Sequence, residues 1–397
     1  MTSSPEPTRV LLVGDAFYGS IAAVRALRAA GYTPWLTVDQ QGGYASRSRA
    51  KAGTVPVPSP KIDAEGFVRE VAAAAARLSV KAVLPGAEGY LFTLAGRHAD
   101  FAGTALGVPS REKVERATDK RLLSKLATAA GLQTPPTKQV VRGDREAVSA
   151  FGFPAIVKPQ RTWIRNLDGS VSSYSASCVS TKQAAEEALE RLPNGEGLVQ
   201  PRIPGGLISI AGVSWEGEMV CAVHQASPRI WPVPCGVSAY AETIPRNPDL
   251  EQGVGRLLQA LGWSGIFQAQ FVRTSDGESY LIDLNPRVYG SLALAVASGL
   301  NLPGIWTDLL LGRRPNIGGY RVGARFRHEE NDAHALVQML REGKTRSAIR
   351  GMLPRRGTTH AIFSLDDPMP LLTTLTVRLQ RLGRSVTGRM RGRGPQR

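Results

Sequence analysis

The stretch GIFQAQFVRTSDGESYLIDLNPR, residues 265–287, decides how this chain is read. Two apolar-rich runs flank the turn SDGE, a pattern that predicts a β-hairpin. Along FQAQF, alternation puts Gln268 and Gln270 on one face and Ala269 and Phe271 on the other. On the return strand the same period groups Leu281, Asp283 and Asn285, with Ile282 and Leu284 pointing away. Gln270, Asp283 and Asn285 thereby converge from adjacent strands, all offering oxygen. Hard cations such as Mg2+ take oxygen ligands, few of them charged, completed by water and phosphate. Arg287 follows at the strand end, where a guanidinium can fork onto a phosphate. The competing reading makes Asp283 and Arg287 an exposed ion pair and Asn-Pro a simple turn. An acid and an amide set among apolar residues are costly unless paired or metal-bound, which favours the functional reading.

Working outward, residues 9–14 (RVLLVG) read as a buried strand, 19–30 as a helix closed by Gly31, and 33–39 as a second strand. A helix around 64–78 and a strand at 80–85 continue the alternation, which implies a doubly wound parallel sheet. One polar helix is expected over 110–130, stopped by GLQTPPT. FPAIVKP (153–159) is a short apolar strand ending at Lys158, a residue seldom placed there without a partner. Residues 161–175 read as a mobile Ser-rich loop, and 181–192 as a helix capped by Thr181. GLVQPRI, LISIAGVSW and EMVCAVHQ read as successive strands of one antiparallel sheet. A helix follows at 248–261, then the hairpin, then a helix from 291. Residues 330–397 look less regular.

Composition sets the frame. Hydrophobic residues make up 42% and charged residues 21% of 397, which argues against a disordered or fibrous chain. No run is long and apolar enough for a spanning helix, and the start lacks the pattern of a secretory signal. Three cysteines without CxxC spacing indicate neither a disulfide framework nor structural zinc, so a reducing cytoplasm is the expected location. The net charge of +16 is uneven: residues 311–397 hold 18 basic and 6 acidic side chains, and the rest of the chain is close to balance. With little aromatic interleaving and no recognisable module, the excess does not indicate nucleic acid.

Other motifs weigh less. The first turn, GDAFYGS (14–20), has Ser20 where a P-loop needs Lys and Ala16 where a dinucleotide fingerprint needs Gly. A strand–turn–helix needing glycine for close packing is preferred, and a dinucleotide site using Asp39 is the weakest of the alternatives. His224 and Arg229 fall in a strand and the loop after it. A lone histidine is more often a satisfied polar residue than a catalyst. No GxSxG or Cys/His arrangement suggests a nucleophile.

In order and spacing, the pieces resemble an ATP-grasp enzyme of the carboxylate–amine ligase-like group. The resemblance covers most of residues 9–312. It rests on LGVPSREKVERATDKRLLSKLATAAGLQTPPT (106–137), FGFPAIVKP (151–159), LVQPRIPGG (198–206) and residues 265–303. The Gln, acid and Asn of the hairpin are similar to the metal-binding set of carbamoyl-phosphate synthase. The resemblance implies an α/β plus α+β architecture. A doubly wound pre-ATP-grasp domain (1–106) would precede a two-lobed ATP-grasp fold with antiparallel sheets (107–312, small lobe about 135–200), leaving a basic region at 313–397. It implies that Lys120 and Lys158 hold ATP phosphates while the loop 166–175 closes over them. Gln200, Pro201, Arg202 and Ile203 would form the hinge beside adenine. Gln270, Asp283 and Asn285 would bind Mg2+, with Mn2+ as an alternative. Arg287 and Arg229 would meet the γ-phosphate or an acylphosphate. His224 is the candidate for contacting the acyl group, and Glu88 for contacting substrate, although a solvated loop position suits Glu88 better.

The expected activity is ATP-dependent joining of a small-molecule carboxylate to an amine, with release of ADP and phosphate. The hinge carries Pro201-Arg202 where an acid is usual, and Asp283 stands where Glu is commoner. These departures motivate the alternative, a non-catalytic nucleotide-binding or scaffold protein. The tail from Leu371 begins as an amphipathic helix and ends Gly/Arg-rich. It suggests docking to an anionic membrane surface or an acidic partner, and so a peripheral position at the inner membrane surface.

Overall fold

The structure is a computed structural model that describes residues 8–39, 43–166 and 170–372. The chain opens with β1 (Arg9–Val13), α1 (Tyr18–Ala29), β2 (Thr33–Val38), β3 (Gly53–Pro56), α2 (Ala64–Arg77), β4 (Ala82–Pro85), α3 (Glu88–Leu94) and β5 (Ala105–Leu106). The strands form a wholly parallel sheet in the order β3-β2-β1-β4-β5. The run Val10–Val13 is buried throughout, as a central parallel strand covered on both faces must be. Gly14 ends β1 at φ +95°, and a Cβ there would lie 1.9 Å from the Tyr90 ring. The glycine of GDAFYGS therefore serves close packing.

The single helix expected at 110–130 is two, α4 (Arg111–Thr118) and α5 (Lys120–Ala129). Asp119 breaks it. Its carboxylate accepts from the Arg121 and Leu122 amides and from the Gln160 and Arg161 side chains. A carboxylate satisfying the free amides of a helix start is a strong cap, and it sets Lys120 at the first position of α5.

The small lobe comprises β6 (Lys138–Val141), α6 (Arg145–Val148), β7 (Ala155–Lys158), β8 (Trp163–Arg165), β9 (Val171–Ser173), β10 (Ser177–Val179), α7 (Lys182–Glu190) and β11 (Glu196–Pro201). Its antiparallel sheet runs β10-β7-β11-β6, so GLVQPRI belongs here and not with the two strands that follow. Val140, Ala155, Val157, Val179 and Val199 pack against Ala185, Ala188 and Leu189 of α7. Alternation then turns Ile156 and Lys158 to the opposite face. The expected mobile loop is instead the hairpin β8–β9, with residues 167–169 outside the described set.

The large lobe adds β12 (Gly206–Trp215), β13 (Glu218–Trp231), β14 (Val237–Thr243), α8 (Pro248–Leu261), β15 (Gly265–Arg273), β16 (Ser279–Asn285), α9 (Leu292–Ser298), α10 (Leu302–Leu310), β17 (Arg325–Arg327), α11 (Glu329–Arg341), α12 (Thr345–Met352) and β18 (Thr358–His360). The sheet order is β16-β15-β12-β13-β14-β17-β18. Residues 313–397, set apart in the sequence reading, thus contribute two strands to this sheet. Behind it, Ile210, Phe267, Ala269 and Phe271 pack on Val254, Leu257 and Leu258 of α8. In front, Ala211, Val213 and Val223 meet α1, α9 and α10 over one half, and the other half faces the small lobe. Of the tail read from Leu371, residues 373–397 lie outside the described residues, and none of the described helices is long and apolar enough to cross a membrane.

Candidate active site

Two adjoining cavities occupy the cleft between the lobes. The inner one, about 350 Å³, is walled by Ile156, Lys158, Cys178 and Gln200–Ile203 from the small lobe side. Leu207, Ile230, Val272 and Ile282 face them from the large lobe. The outer one, about 290 Å³, is lined by Tyr18, Glu88, Gln268, Asn285, Arg287 and Ser291, among others. Lys120, Gln270 and Asp283 line both.

The hairpin reading holds for its polar face. Gln268 pairs with Asn285 and Gln270 with Asp283 across β15–β16. A bulge follows: Phe271 pairs with Leu281, leaving Ile282 as an extra residue. Leu281 consequently joins Leu284 in the rear core, and Ile282, expected to point away, lines the inner cavity. The bulged Ile282 carbonyl accepts a hydrogen bond from Lys158 Nζ at 3.2 Å. Burial pushes the Lys158 pKa down to about 8; Asp283 opposes this and Lys120 adds to it. A desolvated ammonium beside one carboxylate is a charge waiting for an anion. Lys120 Nζ donates to Thr162 Oγ1 at 2.9 Å.

Asn285 Nδ2 donates to Gln268 Oε1 (3.3 Å) and Gln270 Oε1 (3.2 Å), and its Oδ1 accepts from Arg287 Nη2 (2.8 Å). The donor set for a divalent ion is therefore all oxygen with one formal charge. Among the described residues no group of three His, Cys, Asp or Glu side chains could hold a metal. One carboxylate and two amides fit a hard ion whose shell is completed by phosphate, so the set suits an ion that arrives with a nucleotide.

Arg287 also donates to Glu88 Oε2 at 3.3 Å and to the Val288 carbonyl, and it stacks over Phe17. Glu88 opens α3 in the parallel domain. It is half-buried in the cleft, not a solvated loop residue. Tyr174, within the loop expected to close over the phosphates, also lines the outer cavity, as do Tyr18, Thr162 and Ser291, to which the sequence motifs give no role.

Two candidates lie elsewhere. His224 pairs with Ile210 and shares its face, the rear one toward α8. Its Nε2 meets Glu251 Oε2 at 2.9 Å, its Nδ1 accepts from the Asn247 amide, and burial lowers its pKa. Its neighbour Gln225 lies on the opposite, front face of the sheet, where it is buried and donates to Ser291. His224→Gln is expected to cost about 1–2 kcal/mol of stability, the scale of a lost buried hydrogen bond, with ATP turnover unchanged. Denaturant melts and steady-state rates check this; a rate loss at unchanged stability would return His224 to the chemistry. Arg229 follows a register shift in β13 that turns it toward α11. There Asp332 holds it through Nε (2.5 Å) and Nη2 (3.0 Å), and Tyr240 lies under it. Neither residue lines either cavity.

Residues 195–331 match a family described as "ATP-grasp in the biosynthetic pathway with Ter operon". The carbamoyl phosphate synthase large chain of Xylella fastidiosa is 26% identical over 229 residues, 53% of this chain and 21% of that protein. The N-terminal section of the Aquifex aeolicus large chain is 29% identical over 216 residues, 51% of this chain and 38% of that one. The chain thus spans well under half the length of these relatives. Among solved structures, biotin carboxylase from Campylobacter jejuni superposes with a TM-score of 0.59 at 14% identity, over 80% of this chain and 74% of that one. L-amino acid ligase from Bacillus licheniformis gives 0.59 at 15%, over 78% and 75%. The parallel domain and the paired antiparallel lobes are the fold of these ATP-grasp-type structures, and residues 195–331 are similar in sequence to an ATP-grasp family.

Proposed function

We propose that the chain is an ATP-dependent ligase that activates a carboxylate as an acylphosphate and joins it to an amine. The observation that carries this reading is the shared wall: Lys120, Gln270 and Asp283 stand where a largely apolar cavity meets one of mixed lining. A base in the inner cavity, beside Gln200–Ile203, would present its terminal phosphate at that junction. A carboxylate in the outer cavity would meet it beside Arg287. Lys120 and Lys158 would bind the phosphates, and Arg287 would offset charge as the carboxylate oxygen attacks phosphorus and the bond to ADP breaks. An amine nitrogen would then attack the acyl carbon, expelling phosphate. Tyr174 and Ser175, which follow β8–β9, line the outer cavity, so this hairpin would help exclude water that otherwise hydrolyses the acylphosphate.

Gln270, Asp283 and Asn285 would hold Mg2+, or Mn2+, which when bound offsets charge on the phosphate oxygens. Support comes from the donor set and from the likeness to ATP-grasp-type structures; the carboxylate and amine are set by outer-cavity residues that fold alone does not specify.

The test is release of ADP and phosphate with pooled carboxylates and amines, using ¹⁸O-labelled carboxylate. Transfer of ¹⁸O into the released phosphate is expected. Nucleotide binding with no release under any pool would contradict ligation and favour the non-catalytic alternative.

A further inference from the structure

Cys178, Ile156 and Gln200 lie side by side across three strands on the cleft face of the small sheet. Opposite them, the turn 232–236 joins β13 to β14 in the large sheet and brings Cys235 to the same cavity. Gly236 permits this turn, since a Cβ there would sit 2.0 Å from the Trp231 carbonyl carbon. Cys178, Cys235 and Arg202 line this one cavity, and the two thiols are near enough to interact. Two thiols from different lobes thus face one cavity within interaction range of each other, beside a guanidinium. The third cysteine, Cys221, is buried in the front core of the large lobe.

We propose that Cys178 and Cys235 are a modification site, oxidised by a peroxide to a disulfide that staples the lobes together and bars nucleotide from the inner cavity. The last part rests on the reading that this cavity takes the base. Burial and the Cys178 interaction push the Cys235 pKa up, which suits Cys235 to the resolving role and leaves the first attack to Cys178. Its sulfur attacks a peroxide oxygen, the O–O bond breaks, and one water leaves with the proton from the thiol. The sulfur of Cys235 then attacks the sulfenic acid at Cys178. The S–O bond breaks and a second water leaves with the Cys235 proton. The peroxide gains the two electrons that the thiols lose, and a thiol reductant reverses the change by exchange.

The test treats the reduced full chain with hydrogen peroxide, with and without ATP. Remaining thiols are alkylated and the digest is read by mass spectrometry. The expected product is a linked pair of peptides carrying Cys178 and Cys235, two hydrogens lighter than the reduced pair, with Cys221 still alkylated. Binding of a fluorescent ATP analogue should fall in proportion to the linked fraction and return with dithiothreitol. ATP should slow linking. C178S and C235S should form no link, and in C178S peroxide should leave the variant's own nucleotide affinity unchanged. Absence of the linked pair overturns the site. A linked pair with undiminished nucleotide binding overturns its gating effect. Failure of the reduced chain to bind ATP would count against the functional reading, while the linked pair is read without nucleotide.

Discussion

Lys158→Met is expected to weaken ATP binding about 10- to 100-fold, because a charge-assisted hydrogen bond to an anion is worth roughly 1.5–3 kcal/mol. The fold should tolerate the change. Methionine suits the apolar wall of Ile156 and Ile282, and removing a buried ammonium relieves a desolvation cost. The pH dependence has a definite sign. Burial lowers the pKa of this lysine to about 8, so it is charged below that pH and neutral above it. A triphosphate prefers the charged form. Wild-type affinity should therefore fall as pH rises through about 8, and Lys158→Met should lose this dependence. Calorimetric titration across pH 6.5–9.5 reads both effects (roughly one and a half units either side of the shifted value). Equal affinity and pH profile in the two proteins would remove Lys158 from the phosphate site.

Arg287→Ala is expected to cut turnover by about 10²–10³-fold, the scale of losing one preorganised charge at a developing oxyanion. The same change leaves Glu88 without its cation and Asn285 Oδ1 without its donor. Breaking one side of a half-buried pair destabilises more than removing both. Adding Glu88→Gln should therefore recover part of the lost stability and none of the lost turnover. Melting curves and ADP release separate these effects. Turnover restored by the double variant would mean that the pair acts only as a structural contact.

Much of this site is legible in the sequence because a β-strand has a period of two. That period places Gln268 and Gln270 together, brings Asp283 and Asn285 opposite them, and turns Lys158 away from Val157. The same period is silent on which face of a sheet borders the cleft, and so His224 reads as no worse a candidate than Gln225. Bulges also escape it. The extra residue Ile282 re-sorts its neighbours, and the shift before Arg229 sends that side chain to Asp332. The break at Asp119 follows from its bonds to Gln160 and Arg161, some forty positions away, which helical periodicity does not contain. Glu88 and Tyr18 reach the cleft only because the parallel domain docks there, so no local pattern marks them.

The central claim is that Gln270, Asp283 and Asn285 present a divalent ion to the terminal phosphates of ATP. Its most direct test is ATP binding titrated against Mg2+ by calorimetry in wild type and in Asp283→Ala. Wild-type affinity should rise with Mg2+ concentration. In the variant, that Mg2+-dependent gain should vanish while weak, Mg2+-independent binding through Lys120 and Lys158 persists. An undiminished Mg2+-dependent gain in Asp283→Ala would contradict the account.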